Sequence, residues 1–512
     1  MLRAIKSLGH RCSLLALFAF ASCNAVLDID EGEPLEQSSS SGSSSGAMLV
    51  CGDGIISPEL DEECDDGGME DGNYCSPTCK EQRVLSVTAG FTSTCAKLSG
   101  NKIKCWGSAP DGQLGQGDKN IWGDGQGEMG NTLPFVDLNG EVENVVAFPH
   151  TCAILKTGSL KCWGTNVYGQ LGLDSTDARG DNPDEMGAFL PEVISIGMVK
   201  DVALGGKSTC ALLEGGIVKC WGLNDKGQLG LGHTTNIGIN MGDMENLPAV
   251  DLGDTATAIA VGSFHACALL ANGDVKCWGD SGNGQIGSGG LEDKGDQPNE
   301  MGTNLIKVDL GPDKKAKAIA AGGVHTCVIM ASDSKVKCWG YNAGGQLGVG
   351  DAKTRGDGLD PMLPMGDLLP TVNLGTGKTA VAISARGGTT CALLNDTSVK
   401  CWGSNANGQA GLGDNTGSKL NIGDEPNEMG DALPAIDFGS GKTPTGISVG
   451  QTHVCAIFSD NSIKCWGGNA LGQLGLGDIS STNLNRGDGL DAMGNSEMGD
   501  KLPTVKLFSD SW

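Results

Sequence analysis

The feature that most constrains this chain is a cysteine pair that recurs seven times, its second member always inside Lys-Cys-Trp-Gly. The pairs are Cys95 with Cys105, Cys152 with Cys162, Cys210 with Cys220, Cys267 with Cys277, Cys327 with Cys338, Cys391 with Cys401, and Cys455 with Cys465. From Cys95 to Cys455 the mean period is 60 residues, and each pair is followed by Gly-Gln-Leu-Gly or a near copy, then by a Met-Gly…Leu-Pro segment. Self-similarity at such a period means an array in which each unit buries its apolar surface against the next. The 83 glycines among 512 residues fit an array dense in turns and exclude collagen, because they do not fall at every third position.

Within a unit the apolar period is that of strands. In the fourth, Ala258-Ile259-Ala260-Val261 precedes His265-Ala266-Cys267-Ala268-Leu269-Leu270, a turn at Asn272-Gly273, and Val275-Lys276-Cys277-Trp278-Gly279. Asn-Gly between apolar alternations is a strong hairpin signal. Cys267 and Cys277 stand symmetrically about that turn, so they face one another across two antiparallel strands at disulfide range. In the fifth unit the extra residue falls in the turn Ala331-Ser332-Asp333-Ser334, which preserves the pairing. The stretch after Leu-Pro, such as Val136-Asp137-Leu138, supplies a fourth strand. Four strands in each of seven units predict an all-β, seven-bladed β-propeller.

The run Cys-Ala-Leu-Leu…Val-Lys-Cys-Trp-Gly…Gly-Gln-Leu-Gly resembles the regulator of chromosome condensation repeat family, in its exported, cysteine-bearing bacterial form. The resemblance covers residues 84–508 and implies a ring that brings Ser86-Val87-Thr88 toward Thr504-Val505-Lys506.

The preceding segments specify compartment and attachment. Arg3, Lys6 and Arg11 come before the apolar run Leu14–Ala21, which is shorter than the roughly 20 residues of a membrane span and has the form of a secretory signal. Ala21-Ser22-Cys23 resembles a bacterial lipobox, with Phe20 where Leu is more usual, which makes Cys23 the lipidated first residue of the mature protein; ordinary cleavage near Ala21 is the alternative. Residues 1–22 are then signal, including Cys12, and 23–49 an acidic, Ser/Gly-rich tether. Residues 50–82 form a small cysteine-rich module with Cys51, Cys64, Cys75 and Cys79. Its CGDG…EECDDG…DGNYCS pattern resembles the myxobacterial cysteine-rich repeat. Two disulfides of open connectivity are favoured over a zinc site by the long first spacing and an oxidising compartment.

The formal charge is −27, and −30 once residues 1–22 are removed, which argues against a nucleic-acid partner. The lysine before each second cysteine (Lys104, Lys161, Lys219, Lys276, Lys337, Lys400, Lys464) is expected to form a repeated salt bridge with loop acids. His150, His265, His325 and His453 lie two positions before the first cysteine of a unit, where the others carry Ser93, Ser208 and Thr389. Ser and Thr share hydrogen bonding with His but are poor zinc ligands, so the histidines read as structural. Arg-Gly-Asp at 179–181, 355–357 and 486–488 recurs at one place in the repeat, which common descent explains. The Asp- and Gly-rich loops leave Ca²⁺ as a candidate ligand; no other cofactor or metal is expected. No catalytic constellation departs from the repeat, and no blade stands out as breaking its symmetry. The expectation is a monomeric, non-catalytic cell-envelope lipoprotein, in the outer membrane or at the cell surface, joined to the membrane only through its lipid. It would present a propeller to an unknown protein or surface ligand. Inhibition of an extracellular enzyme is the first rival reading, and carbohydrate chemistry by a carboxylate pair the second.

Overall fold

The computed structural model describes residues 63–64, 80–478, 485–489 and 497–508. The chain divides into two units, 1–48 and 49–512. The first, with Cys12 and Cys23, lies outside the described residues, as do Cys51, Cys75 and Cys79. Cys64 is disulfide-bonded and buried.

Described regular structure in the second unit is all β apart from short 3₁₀ turns, and it forms seven sheets in chain order around a ring. In the first blade the inner strand is Val84–Ala89, the second Ser93–Leu98 and the third Ile103–Gly107. The seventh has Pro444–Val449, His453–Phe458 and Ile463–Gly467. The second and third strands pair with each half-cystine directly opposite its partner, as in Cys267 against Cys277. Seven disulfides close these hairpins with Cα–Cα separations of 4.0–4.1 Å. In the fifth blade the added residue is absorbed in the turn, where Ser334 takes φ 57°, and Cys327 still faces Cys338.

The fourth strand is frayed. In the first blade the third strand's outer edge meets Val136, whose amide donates to Ile103 O at 3.0 Å, and Trp122, which bridges Gly107. Between these contacts the 3₁₀ turn Gly130–Thr132 and Pro134, which has no N–H to donate, interrupt a continuous ladder. Among the described residues, only the sixth blade extends the edge into a two-residue strand, Asn421–Ile422.

The core is divided among the seams between blades. Each apolar cluster joins one blade's disulfide to the next blade's tryptophan: Cys95 and Cys105 with Trp163, Cys210 and Cys220 with Trp278, Cys455 and Cys465 with Trp106. All seven Lys-Cys-Trp-Gly tryptophans are fully buried, and each indole N–H donates across its seam to the carbonyl of the glutamine in Gly-Gln-Leu-Gly, at 2.9–3.1 Å. The leucine of that motif fills the same seam, as Leu114 does beside Trp163. The ring closes by this rule too: Trp106 donates to Gln473 O at 3.1 Å, and Val84 shares a cluster with Val505 and Leu507.

Gly112 shows why glycine is required at the seams. Its φ is +82°, and a Cβ there would collide with the backbone of Gly180 and Asp181 in the next blade. Gly112→Ala is expected to cost about 3 kcal/mol, combining a disfavoured backbone conformation with overpacking against rigid atoms. Gly127 has the same φ with nothing within 4 Å of its Cβ position, so Gly127→Ala should cost only about 1 kcal/mol. Urea midpoints of the two variants check the difference.

Candidate functional site at the loop face and ring axis

One end of the ring carries the turns from inner to second strands and the seven long loops that follow the third strands. The other carries the second-to-third-strand hairpins. The described residues of the long loops (108–129, 165–186, 223–244, 280–301, 341–365, 404–429, and 468–478, 485–489 and 497–498) hold 26 acidic and 8 basic residues, so this face carries most of the chain's net charge.

Many of these acids are committed to the loops themselves. Glu185 Oε2 accepts the amides of Gly180, Asp181 and Asn182 at 2.9–3.2 Å, Glu128 those of Gly123, Asp124 and Gly125, and Asp243 those of Gly238, Ile239 and Asn240. The carboxylate before Met in these three loops therefore folds a turn of amides, leaving it poorly placed for Ca²⁺ or for glycosidic chemistry. Among the described residues, no group of three or more His, Cys, Asp or Glu is arranged to hold a metal ion. The Arg-Gly-Asp segments belong to the same turns. Gly180 lies against Gly112, Asp181 pairs with Lys119 at 2.9 Å, and Arg355 is 4% exposed and bidentate to Asp351.

The lysines do not follow the expected salt bridges. Six of the seven donate to two backbone carbonyls at 2.7–3.0 Å, one in their own Met-Gly turn and one from the preceding blade's outer edge, as Lys400 does to Gly430 and Leu374. The ammonium thus ties adjacent blades at their rims through acceptors that carry no formal charge. Burial lowers the pKa of several of these lysines, that of Lys104 to about 8. Lys219 is the exception and reaches only Ser195 O, at 3.4 Å. Its blade carries Glu245 where the others carry the glycine of Met-Gly. Lys400→Met is accordingly expected to cost about 2–3 kcal/mol by stranding two carbonyls, and Lys219→Met less than about 0.5 kcal/mol. Thermal melts of the two variants test this.

The histidines act across seams. His150, His265, His325 and His453 are fully buried, and each Nε2 meets a threonine hydroxyl of the following blade (Thr209, Thr326, Thr390 and Thr94) at 2.7–3.0 Å. Each hydroxyl donates to the seam glutamine carbonyl, so it accepts from the ring and fixes the proton on Nε2. Nδ1 is buried without a partner in all four. Burial pushes the pKa down to about 3 for His150, His265 and His453 and about 4 for His325; the Arg386 charge adds to the shift at His150 and His325 to that at His265.

The expectation that no blade breaks symmetry is corrected at the axis. The residue that ends the inner strand's course and begins the turn is Gly90, Gly205, Gly262, Gly322 and Gly450 in five blades, but Phe148 in the second and Arg386 in the sixth. A Cβ at Gly262 or Gly322 would strike the buried histidine three positions on. The sixth blade has the smaller Thr389 at that histidine position, and the second has a turn one residue shorter. These two departures meet. Arg386 crosses the ring axis, donates from Nη1 to Leu204 O at 2.8 Å and Val261 O at 3.1 Å, and lays its guanidinium 4.1 Å from the Phe148 ring centroid. Phe148 packs edge-on to Phe91 at 5.9 Å. Five blades are joined through one side chain and two rings. Hydroxyls serve three of the inner seams, where Ala147, Ala89 and Val449 amides donate to Thr88, Ser448 and Ser384, and the fifth blade is joined to its neighbours by the backbone bonds of Ser263 N to Gly323 O and Gly323 N to Gly387 O.

The sequence profile of a family described as RCC1-like domain (WD40_RLD) matches residues 150–486. The chain is 27% identical over 411 residues to the ultraviolet-B receptor UVR8 of Arabidopsis thaliana, covering 80% of this chain and 82% of that protein. It is 29% identical over 294 residues to the human E3 ubiquitin-protein ligase HERC2, a match that spans 56% of this chain and 6% of that protein. Among solved structures it is similar to yeast RCC1 (Prp20) bound to Kap60, with a TM-score of 0.54 and 18% identity over 72% of this chain and 78% of that one. Human WBSCR16 gives a TM-score of 0.53 and 19% identity over 74% and 88%.

Proposed function

The chain belongs to the RCC1-like domain family, and on that premise we propose that it is a non-catalytic binding scaffold, tethered to the cell envelope through Cys23, whose loop face receives a cationic protein. The observation that carries the reading is the charge of that face, 26 described acids against 8 basic residues on loops far longer than a strand connection needs. A contiguous field of one sign steers and orients an oppositely charged partner. The yeast relative is itself captured with a protein partner, Kap60. The signal at 1–22 and the Ser/Gly-rich tether to residue 49 supply export and reach in this reading, and the cysteine-rich module at 50–82 is a disulfide-held spacer.

Binding of polylysine should weaken at least tenfold between 50 and 300 mM salt. It should also weaken when Asp184, Glu292 and Asp357 are replaced by Asn, Gln and Asn, and remain unchanged in Lys314→Glu on the hairpin face. Binding that ignores both salt and the loop substitutions would refute the electrostatic reading. The anchor is tested separately by labelling cells with a fatty-acid analogue. Label is expected on the wild-type chain and lost in Cys23→Ala, and an unlabelled wild-type chain would refute the tether.

A further inference from the structure

Arg386 holds more hydrogen-bonding capacity than the fold consumes. Both protons of Nη1 are spent on Leu204 O and Val261 O, and one face of the guanidinium lies on Phe148. Among the described residues, no acceptor meets the edge formed by Nε and Nη2, and no carboxylate pairs with this cation. That is unusual in a chain with 62 acids, in which Arg355 and Arg486 are each matched to an aspartate. The open edge is the side-on fork whose two parallel N–H groups fit the two oxygens of a carboxylate. Phe148 is buried beneath it, whereas Phe91, in edge contact with Phe148, is 44% exposed at the same mouth. An apolar ring and an unpaired guanidinium therefore stand together on the axis, ringed by acidic loops.

We propose that this axial mouth is a binding site for a carboxylate carried on an apolar or aromatic body, with Arg386 Nε and Nη2 taking the two oxygens and Phe91 covering the body. Phosphate suits the site less well, because Nη1 is already occupied and cannot add the further donors a phosphate group would use. The carboxylate could belong to a small aromatic acid or to the C-terminal residue of a docked protein. The site rests on the scaffold reading only for the second of these sources. The acidic rim distinguishes them, since it favours a carboxylate delivered on a cationic chain.

The test is calorimetric titration of the full chain at fixed ionic strength with benzoate, inorganic phosphate, the peptide Lys-Lys-Lys-Phe, and the same peptide amidated at its C-terminus. Benzoate and the free-acid peptide are expected to bind saturably, with phosphate and the amidated peptide at least tenfold weaker. A peptide tenfold tighter than benzoate assigns the source to a protein terminus, and equal affinities assign it to a small acid. Arg386→Lys keeps the charge but not the fork and should weaken binding at least tenfold. Phe91→Ala, which leaves the Arg386 contacts in place, should weaken it about threefold to tenfold. Phosphate or the amidated peptide binding as well as the free acids, full affinity in a folded Arg386→Lys variant, or no heat with either carboxylate would overturn the site. Benzoate carries no positive charge, so its binding stands or falls independently of the polylysine result.

Discussion

Reduction of the seven hairpin disulfides is expected to unfold the propeller at room temperature. Each closes a loop of about ten residues, which by loop-closure entropy is worth about 2–3 kcal/mol. Seven together exceed the net stability of roughly 5–15 kcal/mol typical of a folded domain. The sulfurs sit inside the seams, with every blade cysteine at most 2% exposed, so reductant acts only on molecules that have opened. Equilibrium therefore has to be approached from the unfolded side. Chains unfolded in urea with reductant and then diluted should fail to recover the native far-ultraviolet circular dichroism, whereas oxidised chains recover it. Removing one pair, Cys267→Ala with Cys277→Ala, should lower the urea midpoint by an amount equivalent to about 2–3 kcal/mol. Full recovery by reduced chains would show that seam packing alone sustains the ring. Peptide mapping without reduction should find each blade cysteine joined within its own hairpin.

Mild acid is the second strong lever. The four seam histidines have folded-state pKa values of about 3 to 4, below the ordinary 6.5, so the unfolded chain binds more protons as pH falls through that interval. Their contribution is fully present above pH 6.5 and is lost progressively toward pH 3–4, at about 1.4 kcal/mol per pH unit for each histidine. Glu497 works in the opposite sense: burial and Asp488 push its carboxyl up to about 7, so it favours the folded chain as pH falls from about 7 toward 4.5. With one of the four offset in this way, the expected loss is about 4 kcal/mol per pH unit between pH 6 and 5. That window lies above the range in which the carboxylates with lowered pKa values become protonated. Melting temperatures measured from pH 7.5 to 5 should fall steeply, and His265→Gln should flatten the slope by one proton's worth. A melting temperature constant to pH 5 would contradict the neutral Nε2–H tautomer that the threonine contacts require.

The parts of the molecule legible from sequence are those with a local period. A cysteine pair about a short turn, recurring seven times, specifies the hairpin from residues within one repeat and the number of blades from the count of repeats. What escaped depends on partners in another blade. The lysines bind carbonyls, and a backbone acceptor leaves no signature in sequence, so the nearby acids drew the expectation toward salt bridges. The histidine contacts did leave a trace. His150, His265, His325 and His453 are each followed one blade on by Thr209, Thr326, Thr390 and Thr94, whereas Ser208 and Thr389 precede Ala266 and Val454. Reading each blade alone hides this covariation, and Ser93 before Thr151 is the one position that does not follow it. Phe148 and Arg386 were visible as two departures from five glycines. Only the ring brings residues 238 positions apart into contact.

Each of the seven blade disulfides lies inside a hairpin, and the indole hydrogen bond of each Lys-Cys-Trp-Gly tryptophan crosses between blades. The disulfides therefore reinforce cohesion along the radius, within a blade, and the indole hydrogen bonds supply it around the circumference, between blades. A half-cystine ten residues from its partner meets that partner at far higher effective concentration than any cysteine about 60 residues away. Correct pairing can thus be completed one hairpin at a time as the chain elongates, without waiting for the ring. Mispairing between repeats, the usual hazard of a chain with many identical cysteine contexts, is suppressed by kinetics before the seams exist to select against it.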